Sequence, residues 1–244
     1  MTQFHETVIK FENVCYETEQ LSILNNVSGE FYKGKITTLV GPSGAGKTTL
    51  LKLCNGLYSP TSGEVYIQNK PINSYEPTTL RRNVGIVLQS APILKGTVYE
   101  NLALPYTLQN KKFPKTEAIK FLNNVGLDES FLHRHAEDLS GGQRQKVSIA
   151  RTFINHPEVL LLDEITSALD PSSVNDIEQL ILKINQKYQV TMIWITHNIE
   201  QAKRVGDYTW VMMNGQLLES GETNILWNNS NKYIQNFVSG VQEV

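Results

Sequence analysis

The sequence predicts an α/β fold, a buried parallel sheet with helices around it and a helical insertion. Three observations carry that prediction. The glycine-rich stretch Gly41-Pro42-Ser43-Gly44-Ala45-Gly46-Lys47-Thr48-Thr49 follows an apolar, β-branched run, Lys35 to Val40, and precedes Thr49-Leu50-Leu51-Lys52-Leu53. Strand, glycine-rich loop and helix in that order form the context of a Walker A phosphate-binding loop. Val159-Leu160-Leu161-Leu162-Asp163 is an unbroken apolar run ending on a carboxylate, the pattern of a strand covered on both faces. Between Ser90 and Pro157 the β-branched runs vanish and helical spacing replaces them, which reads as an insertion into the sheet.

Taken in order, Val8 to Tyr16 alternates loosely and reads as a strand, and Ile23 to Tyr32 as a second with Leu24, Val27 and Phe31 available to pack. Lys33-Gly34-Lys35 is a turn into the phosphate-loop strand. After the first helix, Tyr58-Ser59-Pro60-Thr61-Ser62-Gly63 is turn chemistry, and Glu64-Val65-Tyr66-Ile67 returns as a strand. Ile86-Val87-Leu88 is a short buried strand ended by Gln89. The insertion carries turns at Phe113-Pro114 and Gly126. Asp170-Pro171 opens a helix as N-cap and N1 proline, with Ile177, Leu180, Ile181 and Ile184 as its buried stripe. Thr191 to Thr196 is one more core strand, and Trp210 to Leu218 a hairpin closed by Asn214-Gly215. The organisation expected is one domain over 1–244, its core from 1–89 and 158–244 and its helical subdomain from 90–157.

The 244 residues, 40% of them hydrophobic, suffice for one generous domain with a real core. A formal net charge of -2 provides no global basic field to attract DNA or RNA. Cys15 and Cys54 are in no metal-type spacing and read as buried, reduced thiols of a cytosolic protein. The N-terminus, Met1 to Glu6, lacks the basic-then-apolar layout of a signal peptide, and no apolar run approaches the ~20 residues that span a bilayer. The expectation is a chain soluble by itself, with any membrane role coming through a partner.

The chemistry follows from residue types in these places. Gly41, Gly44 and Gly46 let the loop fold tightly so that backbone N–H groups turn onto a polyphosphate, with the helix N-terminus behind them. Lys47 can bring an ammonium to the β and γ phosphates, and Thr48 a hydroxyl to Mg²⁺. Asp163, at the end of a neighbouring strand, fits as the metal carboxylate, and Glu164 beside it as the group that polarises attacking water. Leu139-Ser140-Gly141-Gly142-Gln143, ahead of the periodic run Val147, Ala150 and Ile154, makes a second helix N-terminus and a second anion site.

The last segment, continuing into Arg144-Gln145-Lys146-Val147-Ser148, resembles the signature sequence of the ATP-binding cassette (ABC) ATPases, and the resemblance covers essentially the whole chain in the family's order. It implies a RecA-like P-loop NTPase core, an N-terminal antiparallel β layer and an inserted helical subdomain. It implies ATP and Mg²⁺ as cofactors, ATP hydrolysis as the activity, and a head-to-tail homodimer with two ATPs between the copies. By the same resemblance Tyr16 looks like the aromatic that stacks on adenine, and Gln89 like the glutamine that senses Mg²⁺ and water. Ser167-Ala168-Leu169-Asp170 resembles the loop that crosses the dimer interface, and His197 the histidine that contacts the γ-phosphate. Ser140, Gly141, Gly142 and Gln143 would reach the ATP of a second copy. His5, His133, His135 and His156 have no such setting and read as surface or structural residues.

The partner implied is an integral membrane permease subunit, with this chain cytoplasmic and peripheral on the inner face of the membrane; nucleic acid is not an expected ligand. Leu161 to Asp170, the Trp194 strand before His197, and Thr97-Val98-Tyr99-Glu100-Asn101-Leu102 look like the Fet-type iron-export ATPases, with phosphate and amino-acid importer subunits similar enough to stand beside them. Ala91-Pro92-Ile93-Leu94 is apolar for a loop, and with Thr97 to Leu104 it is expected to form part of the groove that receives the permease.

Overall fold

The computed structural model describes residues 5–228. Met1 to Phe4 of the N-terminal stretch, and the part of the expected domain beyond residue 228, lie outside the described residues. In chain order the regular elements are β1 (Thr7–Thr18), β2 (Leu21–Tyr32), β3 (Ile36–Val40), α1 (Lys47–Cys54), β4 (Ser62–Ile67), β5 (Lys70–Pro71), α2 (Pro77–Asn83) and β6 (Val84–Val87). Then come α3 (Val98–Thr107), α4 (Lys115–Asn124), α5 (Gly141–Phe153), β7 (Val159–Asp163), α6 (Pro171–Tyr188), β8 (Thr191–Ile195), α7 (Ile199–Val205), β9 (Tyr208–Met213), β10 (Gln216–Glu222) and α8 (Thr223–Asn228).

Two sheets result. The first is antiparallel, in the order β2-β1-β4-β5. The second runs β10-β9-β3-β8-β7-β6, parallel from β9 to β6 and closed at one edge by the antiparallel β9–β10 hairpin. Every residue of β3, β7 and β8 is buried, which is why these strands read as continuous apolar runs rather than alternating ones. Alternation persists in which layer each residue meets, because successive side chains leave a strand on opposite faces. Leu160, Leu162, Met192 and Trp194 pack with Leu102, Leu122, Ile149 and Ile181 of the helices. Val159, Leu161, Ile193 and Ile195 pack with α1 and the antiparallel sheet, against Leu50, Leu53 and Val65. The helices inserted between β6 and β7 thus share their core with one face of the parallel sheet.

Local chemistry sets the helix starts. Asp170 accepts from the N–H groups of Ser172 and Ser173, and Pro171 follows at N1. Thr97 with Glu100, and Ser140 with Gln143, form reciprocal capping boxes at α3 and α5. Two expectations are corrected. The strand expected at Ile86-Val87-Leu88 starts two residues earlier and ends one earlier, since Val84 to Val87 pair with Val159 to Leu162 and Leu88 already leaves the ladder. Cys15 is half-buried rather than buried, because β1 bulges beside it and its Sγ accepts the N–H of Asn26 at the rim of the sheet; both thiols are free.

The two sheets are joined by an aromatic cluster. Phe31 stacks on Trp210 of β9 with ring centroids 4.2 Å apart, and Phe11 meets both rings edge-on at 6.1 and 6.4 Å. Phe31→Ala should cost about 3–5 kcal/mol, the usual range for an emptied aromatic site. A lower denaturant midpoint with an unchanged m-value would report it. A shift well under 1 kcal/mol would show that the sheets are held elsewhere.

Candidate functional site

Four loops leave the carboxyl ends of adjacent parallel strands, and they carry the groups singled out from the sequence. The phosphate loop follows Val40 of β3, Thr196 and His197 follow β8, Glu164 follows Asp163 of β7, and Gln89 lies two residues after β6. Leu39 is level with Ile195, Ile195 with Asp163, and Leu162 with Val87. Strand register therefore brings the four loops out at one height.

The loop from Gly41 to Lys47 needs its first and last glycines for different contacts. Gly41 has φ 150°, and a Cβ there would lie 2.0 Å from the Met212 carbonyl oxygen. Gly46 has φ 91°, and a Cβ would meet Leu24 and the Ile23 carbonyl. Pro42, Ser43 and Gly44 form the outer part of the turn, and Ala45 is buried. Lys47 is buried and curls back over the loop, its Nζ donating to the carbonyls of Gly41 and Pro42 at 2.8 Å each. Thr48 donates through Oγ1 to Oδ1 of Asp163 at 3.1 Å, and half-buried Thr49 continues α1.

Glu164 has φ 49°, the left-handed region that non-glycine residues seldom enter. Its N–H donates to Ile195 O at 3.2 Å, and its carbonyl accepts from the N–H of Ser167 at 3.1 Å and from Ser167 Oγ at 2.9 Å. This turn lets consecutive residues serve different partners. Asp163 faces Thr48, while Oε1 of Glu164 lies 2.7 Å from Nε2 of His197. Gln89 donates from Nε2 to Ser167 Oγ at 2.9 Å, which places it one hydroxyl away from the Glu164 carbonyl. Glu164 and His197 border an open cleft of about 650 Å³.

Tyr16 pairs with Leu24 across the β1–β2 ladder, and Leu24 packs on Gly46, so Tyr16 lies one strand from the loop. Its ring stacks on Tyr58 at 5.0 Å and 11°. Lys52 sits over the Tyr58 ring, 5.1 Å from its centroid. The sequence reading treats Tyr58 only as part of a turn, and nothing in its spacing marks it as a partner of Tyr16. Ser140, Gly142 and Gln143 do not join the loop within one chain. They border a separate concavity of about 270 Å³ with Lys146, Ser173 and Asp176. Gly141 approaches Leu169, and a Cβ on Gly142 would lie 2.7 Å from Ser173 Oγ. Asp170 serves as the cap of α6.

A profile of the ABC transporter family matches residues 24–167. The chain belongs to that family. It is 47% identical over 201 residues to the ABC transporter ATP-binding protein YjkB of Bacillus subtilis, covering 82% of this chain and 80% of that one. It is 41% identical over 227 residues to methionine import ATP-binding protein MetN 1 of Listeria monocytogenes, covering 91% of this chain and 66% of the relative. The dimeric ATP-binding cassette MJ0796, solved in a post-hydrolysis state with ADP and Pi, superimposes with a TM-score of 0.77 at 31% identity, over 88% of this chain and 98% of that one. ABC cassettes hydrolyse ATP to power transport, and this chain is an ATPase of that kind.

The charges of this ABC ATPase are set against water. Burial lowers the Lys47 ammonium from its ordinary pKa, while Glu164 and Asp163 pull it back up. Burial raises the Asp163 carboxyl, and the bond from Thr48 opposes the shift. Both groups are thus biased towards neutrality by desolvation, and both gain when a counter-charge arrives. Mg²⁺ fits this donor set. It takes one or two hard protein oxygens and completes its shell with phosphates and water, and Thr48 Oγ1 and Asp163 Oδ1 are two such oxygens side by side. Among the described residues no cluster of three His, Cys, Asp or Glu could hold a metal by itself, and no helix is long and apolar enough to cross a membrane.

Asp163 supplies a test with a definite sign. An acid whose pKa is raised on folding adds stability that is complete below its unfolded value of about 3.9 and is lost as pH rises through the folded value. Asp163→Asn, without nucleotide, should therefore melt at or above the wild-type temperature near pH 7.5, and the difference should shrink towards pH 4. A variant that melts lower at pH 7.5 and draws level only as acid protonates the wild-type carboxylate would show that the ionised form stabilises the fold.

Proposed function

We propose that this chain binds ATP and Mg²⁺ at the loop Gly41 to Thr49 and hydrolyses ATP between two copies of itself to drive a separate integral membrane permease. The observation that carries the reading is the convergence of buried Lys47, the Thr48–Asp163 contact and the 2.7 Å Glu164–His197 contact on adjacent strand ends. Tyr16 presents an aromatic face to the base. Lys47 and the loop N–H groups hold the phosphates. Thr48, Asp163 and Gln89 are the residues that would hold the metal. Bound Mg²⁺ neutralises charge on the phosphate oxygens. Glu164 polarises the attacking water, and His197 holds that carboxylate and contacts the γ-phosphate.

The γ-phosphate needs a cover that one copy does not supply, since Ser140, Gly142 and Gln143 border a different concavity. A second copy arranged head to tail brings its Ser140-Gly141-Gly142-Gln143, at the N-terminus of α5, onto the phosphates. Asp170 and its loop then cross the interface. The dimeric form of the MJ0796 cassette supports this assembly. Hydrolysis removes the bridging charge and reopens the pair. The helical subdomain, 90–157, moves relative to the core of 1–89 and 158–244 and passes that motion to the permease at the inner face of the membrane. Nucleic acid is not a ligand in this reading.

For cargo, the motif resemblance to Fet-type ATPases favours metal export, specifically iron. Amino-acid import is the second reading, favoured by the MetN relative and its 91% coverage of this chain. Co-purification of the permease, followed by uptake and efflux assays in vesicles, separates the two.

Two measurements test the core of the proposal. Glu164→Gln should bind ATP as wild type does, lose hydrolysis by about 100-fold or more, and accumulate as an ATP-bound dimer on gel filtration. Wild-type turnover in this variant would remove Glu164 from the mechanism. Leu94, which is 49% exposed, is open to the permease, whereas Val98 and Leu102 belong to the helical core. Leu94→Asp should leave folding and ATP binding intact and abolish assembly with the permease. Early melting of that variant would return Leu94 to the core.

A further inference from the structure

A buried polar network links the two segments that bear Glu164 and His197, and none of its side chains has a role in the site described above. Thr166 sits two residues after Glu164, and Gln201 four residues after His197 on α7. They are 8% and 2% exposed, and Glu178 of α6, between them and Arg204, is 4% exposed. Gln201 donates from Nε2 to Glu178 Oε1 at 2.9 Å. A carboxylate only accepts, so this bond fixes the amide orientation, and the same amide meets the Thr166 hydroxyl, Nε2 donating to Thr166 Oγ1 at 3.1 Å and Oε1 accepting from it at 3.3 Å. Arg204 holds the same carboxylate with two donors, Nη2 to Oε1 at 2.8 Å and Nε to Oε2 at 3.2 Å.

The near ends of both segments are tied as well. Glu164 N–H bonds Ile195 O, and Asn198 N–H bonds Thr196 Oγ1 at 3.0 Å. Gln201 N–H in turn bonds Asn198 Oδ1 at 3.0 Å. The Glu164–His197 contact is thus bracketed by a strand-end bond on one side and the Thr166–Gln201 bond on the other. Neighbours in this layer, Ile177 and Ile181, are apolar. Apolar packing tolerates small slides of one segment past another, whereas hydrogen bonds specify distance and direction. Burying a carboxylate is costly unless it is paired and fully bonded, and here three donors meet that requirement.

We propose that Thr166 and Gln201, the latter held by Glu178 and Arg204, are positioning residues that set the Glu164–His197 separation and so tune the hydrolytic step without touching nucleotide. The inference rests on the reading of Glu164 and His197 given above. It predicts that loss of the Thr166–Gln201 bond affects turnover and not nucleotide binding.

The test uses the full chain, with Thr166→Val, Gln201→Leu, Thr166→Ser, Glu164→Gln and wild type compared at a temperature well below the lowest melting point. Thr166→Val and Gln201→Leu should lower kcat by about 10- to 100-fold, the cost of slightly misplacing a reacting group. The ATP KM and Kd should stay within about twofold. Thr166→Ser, which keeps the hydroxyl, should restore most of kcat. A readout independent of turnover is the His197 imidazole resonance, assigned with His197→Ala: in Thr166→Val and Gln201→Leu it should move towards its position in Glu164→Gln. Wild-type kcat and an unmoved resonance in folded Thr166→Val would overturn the inference. So would parallel losses in KM and melting temperature without a kcat-specific effect, which describe a purely structural contact. If Glu164→Gln itself hydrolyses ATP normally, the underlying reading of Glu164 fails instead.

Discussion

The register of the parallel ladder β3–β8–β7–β6 is the constraint on which the rest of this structure depends. Leu39, Ile195 and Asp163 lie level, and Val87 lies level with Leu162. A slip of one residue in any strand would send its core side chains to the opposite face. It would also move the Lys47 loop, Glu164, His197 or Gln89 along the strand axis by about 3.3 Å. Two layers enforce the register, because each of β7 and β8 places alternate residues against the helices and against α1 with the antiparallel sheet. The chemistry of the site is thus positioned by hydrophobic contacts that contain none of its functional atoms.

The sequence carried the elements whose pattern is local. The phosphate loop, the all-buried strands, the Asp170-Pro171 helix start and the Asn214-Gly215 hairpin each declare themselves within ten residues or so, through turn chemistry or burial periodicity. The helix α2 left no comparable signal: it is seven residues long and buries only Leu80. Strand β6 starts two residues before the expected run and ends one before it, because the apolar run continues to Leu88, past the end of the ladder at Val87. Long-range pairings were beyond reach altogether. Tyr16 with Tyr58, Gln89 with Ser167, and Thr166 with Gln201 join residues 42, 78 and 35 positions apart, and no periodicity in one sequence encodes such meetings.

The site also shows how a sheet end converts order into reactivity. Burial pushes Lys47 and Asp163 in opposite senses, both towards their neutral forms, and perturbations of that kind gather where charge is to be received. Glu164 adds a conformational element, since its left-handed backbone costs roughly 1–2 kcal/mol and is held by bonds from Ser167 and to Ile195. That turn allows Asp163 and Glu164, adjacent in sequence, to address a hydroxyl and an imidazole on separate strands.

The edges of the two sheets bear on how the chain behaves when crowded. The antiparallel sheet ends at β5, a two-residue strand containing Pro71, and the parallel sheet ends at β6, only four residues long. The longer edges, β2 and β10, lie against one another, with Leu217 close to Gly29 and the carbonyl of Gly215 taking the N–H of Asn25. Long, flat, unpaired edges recruit foreign strands and seed aggregates; among the described residues each edge is short, proline-bearing or shielded by its neighbour. In the proposed dimer, copies of this chain would therefore meet with little backbone on offer to make an encounter permanent.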